Sequence, residues 1–262
     1  MGHLADPCYR APVEPSLVRP YPRMPLHARW LGRIRYPEAH RLQRSLVDSR
    51  AAERIGDQLL LLEHPPVLTL GRRSDPAHIL ASENELAARG IAVERVERGG
   101  EVTYHGPGQL VAYPIVGLHD RGLLLRPFVR ALESALVATC AAHGVAAGRR
   151  DGHPGCWCDP EGASPRKIGA LGLRVERGIT YHGIALNIAP DLGDFELIDP
   201  CGMPGVESTS IARERGAHDV RPATDAVERA AWIFARAFAD ALDAPLRSGD
   251  GADIADVALV EA

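Results

Sequence analysis

Lysine is all but missing from this chain. Of the 30 Lys and Arg residues among 262, only Lys167 is a lysine. A genome that favours arginine codons explains the bias wherever the two cations are interchangeable. Lys167 is therefore a candidate for a position where they are not, since arginine stays protonated and a lysine amine can give up its proton. Long apolar stretches are also absent. Runs such as 59–62 and 123–125 are far too short to cross a bilayer. There is no basic excess: a net charge of −4 and a pI near 6.3 argue against a dedicated nucleic-acid binder. Cysteine is sparse and odd in number (Cys8, Cys140, Cys156, Cys158, Cys201), which does not suit a secreted disulfide framework. The first residues lack the apolar core of a signal peptide. Prolines at 7, 12, 15, 20, 22 and 25 would break the helix of an organellar leader. These absences predict a cytoplasmic chain with no membrane partner and no nucleic-acid partner.

What remains is an ordinary globular composition, 45% hydrophobic and 24% charged. Residues 1–26 read as a flexible Pro/Arg-rich arm, 27–246 as one domain, and 247–262 as an acidic mobile tail. Within the domain a strand is expected near 28–35, then a helix over 37–54 with Ala39, Leu42, Leu46 and Val47 on one face. Residues 58–62 and 67–71 read as strands around a His64-Pro65-Pro66 turn. Ser82 and Glu85 form a capping-box pattern before a short helix closed by Gly90. Strand-like segments follow at 91–96 and 101–116. A helix is predicted over 126–143, with Cys140 on its apolar face. Residues 151–166 read as a polar loop, and 168–175 and 179–188 as a hairpin about Arg177-Gly178. A last helix, capped by Thr224, runs to 242. Strands and helices mix without strict alternation, so the fold class expected is α/β (α+β) around a mixed sheet flanked by helices.

Three segments carry the chemistry. In 98–109 (Arg-Gly-Gly-Glu-Val-Thr-Tyr-His-Gly-Pro-Gly-Gln), four glycines allow close backbone approach to a ligand while Arg98, Tyr104 and His105 offer polar anchors. The segment is neither a phosphate-binding loop with a Gly-Lys-Ser/Thr ending nor a dinucleotide fingerprint; a plain tight turn is the other reading. In 166–172, Lys167 opens a strand whose Gly169, Ala170 and Gly172 leave room for a slender ligand, and Tyr181-His182-Gly183 echoes Tyr104-His105-Gly106. In 199–205, Cys201 stands between Pro and Gly on a tight loop. A thiol there has a pKa of ~8.5, and a nearby cation would raise its thiolate fraction. Cys156 and Cys158 with His153 invite a zinc reading, but the Cys-x-Cys spacing is wrong and no second pair follows. No metal and no cofactor are expected.

Taken together, the Arg-Gly-Gly-x-Val-Thr-Tyr-His-Gly-Pro-Gly-Gln run, the Lys-Ile-x-Ala-Leu-Gly strand, Tyr-His-Gly-Ile-Ala-Leu-Asn and Pro-Cys-Gly resemble the lipoyl(octanoyl) transferase family over roughly 28–243. The 153–166 loop is longer than that family usually carries. The resemblance implies the catalytic fold of biotin and lipoate protein ligases, with Cys201 as acyl-thioester nucleophile and Lys167 as the partner lowering its pKa. It implies an acyl site lined by Arg98, Gly99, Gly100, Glu101, Val102, Thr103, Tyr104 and His105, by Ala170, Leu171 and Gly172, and by His182, Gly183 and Ile184. The donor would be octanoyl-acyl carrier protein. The acceptors would be lipoyl domains of 2-oxoacid dehydrogenase E2 subunits and the glycine cleavage H protein. Two alternatives remain: an ATP-dependent lipoate or biotin protein ligase, and a non-catalytic module that binds acyl carrier or lipoyl domains.

Overall fold

The computed structural model describes residues 23–199, 206–216 and 225–249. The chain opens with strand β1 (Leu26–Arg33), helix α1 (Tyr36–Ala51) and strand β2 (Asp57–Glu63). All seven residues of β2 are buried. Its run of four leucines explains why: Leu59 and Leu61 enter one core while Leu60 and Leu62 enter another. A strand covered on both faces needs no polar alternation.

The large sheet is completed by β6 (Gln109–Ile115), β7 (Gly148–Arg150), β8 (His153–Cys158), β9 (Arg166–Glu176), β10 (Ile179–Asn187), β11 (Glu207–Ser208) and β12 (Leu246–Ser248). Its order is β12-β1-β2-β6-β10-β9-β8-β7, with β11 beside β9. β1 lies parallel to β12 and β2, and the β2-β6-β10-β9-β8-β7 run is antiparallel. This is the expected mixed sheet. Helix α1 covers one face through Ala39, Leu46 and Val47, packed with Leu60, Leu62, Val111 and Tyr113. Helices α3 (Leu125–Ala142) and α5 (Ala226–Ala241), with the short α4 (Ile211–Glu214) between them in the chain, follow; α3 and α5 cover the other face, where Phe128, Phe234 and Phe238 meet Leu59, Leu61, Ile184 and Leu186. Val227, Ala231, Phe234 and Phe238 point inward at helical spacing, and Cys140 is fully buried.

A second sheet, β4-β3-β5, uses β3 (Val67–Leu70), β4 (Ala92–Arg95) and β5 (Val102–His105). Helix α2 (Glu83–Ala88) connects its strands. The Ser82 side chain accepts the Glu85 N–H at 3.2 Å, and Gly90 ends the helix at φ +65°. β2 and β3 do not pair with each other; His64-Pro65-Pro66 hands the chain from the large sheet to the small one.

Several expectations need correction. Residues 151–166 are not all loop. β8 occupies 153–158, and Cys156, Trp157 and Cys158 are buried in it. Within this strand a Cβ on Gly155 would lie 2.5 Å from the Gly169 carbonyl oxygen, so the close pairing with β9 requires glycine. Leu26 belongs to β1 rather than to the arm. Residues 247–248 belong to β12 rather than to a tail, paired with His27 and Ala28 of β1. The residue before α5 is Asp225, without a side-chain cap. Thr224, Cys8, residues 1–22 and residues 250–262 lie outside the described residues, as does Cys201.

Candidate active site

The two sheets meet where the Arg98–Gly100 segment crosses β9. The Gly99 N–H donates to the Leu173 carbonyl at 3.0 Å. The approach is close enough that a Cβ on Gly172 would stand 2.8 Å from the Gly99 carbonyl oxygen. Arg98 is buried and turned back toward β3. It donates to Thr69 Oγ1 through Nε at 3.1 Å and through Nη2 at 2.9 Å, and from Nη2 to the Thr69 carbonyl. Its guanidinium thus ties the glycine-rich segment to the small sheet.

Between the sheets lies a narrow cleft, about 520 Å³ when the open solvent at its mouth is included. Arg98, Gly100, Glu101, Val102, Thr103 and His105 form one wall. Lys167, Ala170, Leu171 and Gly172 from β9 form the second, and His182, Gly183 and Ile184 from β10 the third. Gly99 and Tyr104 do not line it. Gly99 faces β9 with its backbone, and Tyr104 packs edge-on to Phe195 in the core of the small sheet, ring centroids 5.3 Å apart. Tyr36, Tyr113 and Ala185 also line the cleft, although no motif pointed to them.

Lys167 Nζ lies 5.2 Å from the centroid of the Trp157 ring. The opposing backbone of β11 pairs Ser208 with Lys167, and the Thr209 N–H donates to the Lys167 carbonyl at 2.9 Å. Cys201 stands seven residues before Ser208 in the chain.

Beside the cleft is a cluster of histidines and tyrosines. His105 Nδ1 lies 2.7 Å from Gln109 Oε1, so this nitrogen carries the proton; Gln109 Nε2 then donates to Asn187 Oδ1 at 2.9 Å. His64 Nδ1 donates to the Ile34 carbonyl at 2.7 Å, leaving Nε2 to accept from the Tyr113 hydroxyl at 2.8 Å. Burial holds His64 down at about 4, and burial also holds His105 and His182 down at about 3. All three are neutral imidazoles at physiological pH. His182 has a left-handed backbone, φ +54°, unusual for a residue with a side chain. The kink breaks strand alternation, so Tyr181 and His182 both face α1: Arg44 lies over the Tyr181 ring, and His40 stacks on His182 at 5.5 Å. The Tyr-His-Gly echo signalled this position; no periodicity could have predicted the kink.

Contact with Cys140 and burial push the Cys156 thiol up, and burial pushes Cys158 up to about 12. No helix among the described residues is long and apolar enough to cross a membrane.

Residues 35–230 match the family model described as the lipoyl protein ligase A/B catalytic domain. An octanoyltransferase from Acidobacterium capsulatum is 47% identical over 223 residues, 82% of this chain and 91% of its own. Another from Mycobacterium sp. (strain KMS) is 47% identical over 205 residues, 78% of this chain and 82% of its own. Among solved structures, the bi-partite lipoate protein ligase of Thermoplasma acidophilum superposes with a TM-score of 0.64 at 17% identity, over 90% of this chain and 91% of that one. A lipoate-protein ligase A bound with ATP gives 0.60 at 17% identity, over 90% and 92%. At such identities the structures speak for the fold alone.

Proposed function

Since the chain belongs to the lipoyl protein ligase A/B catalytic-domain family, in its lipoyl(octanoyl) transferase group, we propose that it moves an octanoyl group from octanoyl-acyl carrier protein, through a thioester on Cys201, to a lysine ε-amine on a lipoyl domain. Domains of 2-oxoacid dehydrogenase E2 subunits and of the glycine cleavage H protein are the acceptors we have in mind. The observation that carries this reading is the position of Lys167: the one lysine of the chain lies on the wall of a cleft that it shares with the small or apolar Ala170, Leu171 and Gly172 of its own strand. Burying an acyl chain there is favourable by about 0.8 kcal/mol per methylene.

In the first half, the Cys201 thiolate attacks the donor's thioester carbonyl, the bond to the carrier sulfur breaks, and the carrier thiol leaves with a proton. Lys167, as a cation, favours that thiolate. In the second half, the acceptor amine attacks the Cys201 thioester, a C–N bond forms and the C–S bond breaks. Lys167, now as a neutral amine, takes the proton that the nucleophile sheds. Thioester exchange is nearly balanced and amide formation runs downhill, so the reaction requires neither ATP nor a cofactor. His105 and His182, neutral beside the cleft, serve as hydrogen-bonding walls.

Incubation with octanoyl-acyl carrier protein alone should add one octanoyl group, lost on hydroxylamine treatment and absent from Cys201→Ala. Adding a lipoyl domain without ATP should then yield octanoyl-lysine. A chain that works only from free octanoate and ATP is a ligase. One that binds both partners and transfers nothing is a binding module. An adduct that persists in Cys201→Ala overturns the nucleophile.

A further inference from the structure

Where α1 meets the start of the glycine-rich segment, three ligand-type atoms converge: His40 Nε2, Glu97 Oε2 and His182 Nε2. His40 Nε2 lies 3.1 Å and His182 Nε2 3.7 Å from Glu97 Oε2, and all three atoms fall within 4.8 Å of one another. The three atoms are shielded from water and have no hydrogen-bond partner, although the Glu97 side chain is 46% exposed and that of His40 25%. A simple ion pair between His40 and Glu97 would not account for His182. Its side chain is 2% exposed and its Nε2 is unsatisfied, a costly arrangement for a polar atom removed from water.

We propose that these three side chains bind a divalent transition-metal ion of the zinc class, leaving a fourth position open. Ligands about 2.0–2.2 Å from a tetrahedral zinc stand about 3.3–3.5 Å apart, close to the two spacings from the histidines to Glu97. Two imidazoles with one carboxylate form a donor set that zinc accepts. The partner of the other His182 ring nitrogen also fits. His182 Nδ1 lies 3.4 Å from the Tyr36 hydroxyl, so an Nδ1–H directed there leaves Nε2 as the lone-pair nitrogen. His182 belongs to both places, so the ion would sit against the cleft wall. The proposed acyl transfer does not require it, and this inference stands without that reading.

The test uses tag-free, metal-stripped protein at pH 7, titrated with zinc chloride by calorimetry and with cobalt(II) by absorption. With three protein ligands, and the Arg98 guanidinium opposing positive charge, the expected affinity is on the order of micromolar, at one ion per chain. His40→Ala and Glu97→Gln should each weaken binding at least tenfold, while Cys201→Ala should not alter it. The cobalt complex should lack thiolate charge-transfer absorption. Both substitutions lie at partly exposed positions, and unchanged thermal melting verifies that the variants are folded. Absence of stoichiometric binding, retention of it in both variants, or a site that vanishes with Cys201 would each overturn the proposal.

Discussion

Lys167→Arg asks whether a cation or a proton acceptor is needed beside the cleft. The substitution keeps the charge in a chain that uses arginine for every other cation. Acylation of Cys201 should survive it. Delivery of the octanoyl group to the lipoyl domain should fall by ~10²–10⁴-fold, the usual value of general-base assistance, because arginine does not deprotonate. Single-turnover transfer from pre-formed acyl-enzyme measures this directly, and near wild-type transfer would exclude Lys167 as the base. Trp157 acts on the same amine from below. Its indole N–H is anchored to the His153 carbonyl at 3.0 Å, and its face carries Lys167 at 5.2 Å and the Arg150 guanidinium at 5.4 Å. Trp157→Phe keeps an aromatic face and should retain most activity. Trp157→Leu removes an attraction of about 0.5–2 kcal/mol on the ammonium, and should lower kcat more than it raises KM.

At the scale of elements, the crossing of Arg98–Gly100 over β9 is the joint that forms the cleft. Gly172→Ala should push the two backbones apart, because the obstacle is the Gly99 carbonyl rather than a movable side chain. A loss of about 1–3 kcal/mol is expected, with slower acyl-enzyme formation. Urea titration of both variants checks this: Gly56→Ala, which meets nothing closer than 3.9 Å, should be nearly silent. The joint also shows how far the sequence could be read. The glycines at 99, 100 and 172 and the lone lysine stood out as residue types that plain scaffold does not demand, and the helical stripes of α3 and α5 and the β9–β10 hairpin followed from period and turn. The rest depended on contacts distant in sequence. Gly155 falls in a segment that reads as a polar loop until Gly169, fourteen residues away, comes within reach. Tyr36 has the look of any helix start until the sheet brings His182, His64 and His105 around it. Tyr104 and His105 read as one motif, yet strand alternation sends Tyr104 to the core of the small sheet and His105 to the cleft.

For the whole molecule, the buried histidines couple stability to acidity. His64, His105 and His182 hold pKa values of about 4, 3 and 3 in the fold against 6.5 when unfolded. The unfolded chain therefore binds more protons below pH 6.5. Their contribution is complete above that pH and is lost as pH falls toward the folded values, by up to about 1.4 kcal/mol per pH unit for each histidine. Urea unfolding at pH 7.5, 6.5, 5.5 and 5.0 should show a decline that steepens below 6.5. His105→Gln should flatten it by one proton's worth, and a profile flat from 7.5 to 5.0 would contradict the assignment.

The parallel pairing of β12 with β1 has a consequence for how the protein is made. The Leu26 N–H donates to the Pro245 carbonyl at 2.9 Å, and Leu26 is opposite Leu246. At a translation rate of about 5–20 residues per second, the outer edge of β1 waits about 10–40 s for the strand that closes it. Helix α5, which covers the sheet beneath β1, β2 and β6, arrives only shortly before. While attached to the ribosome, the nascent chain therefore carries an open strand edge above an uncovered apolar face, the surface that a cellular holdase would grip.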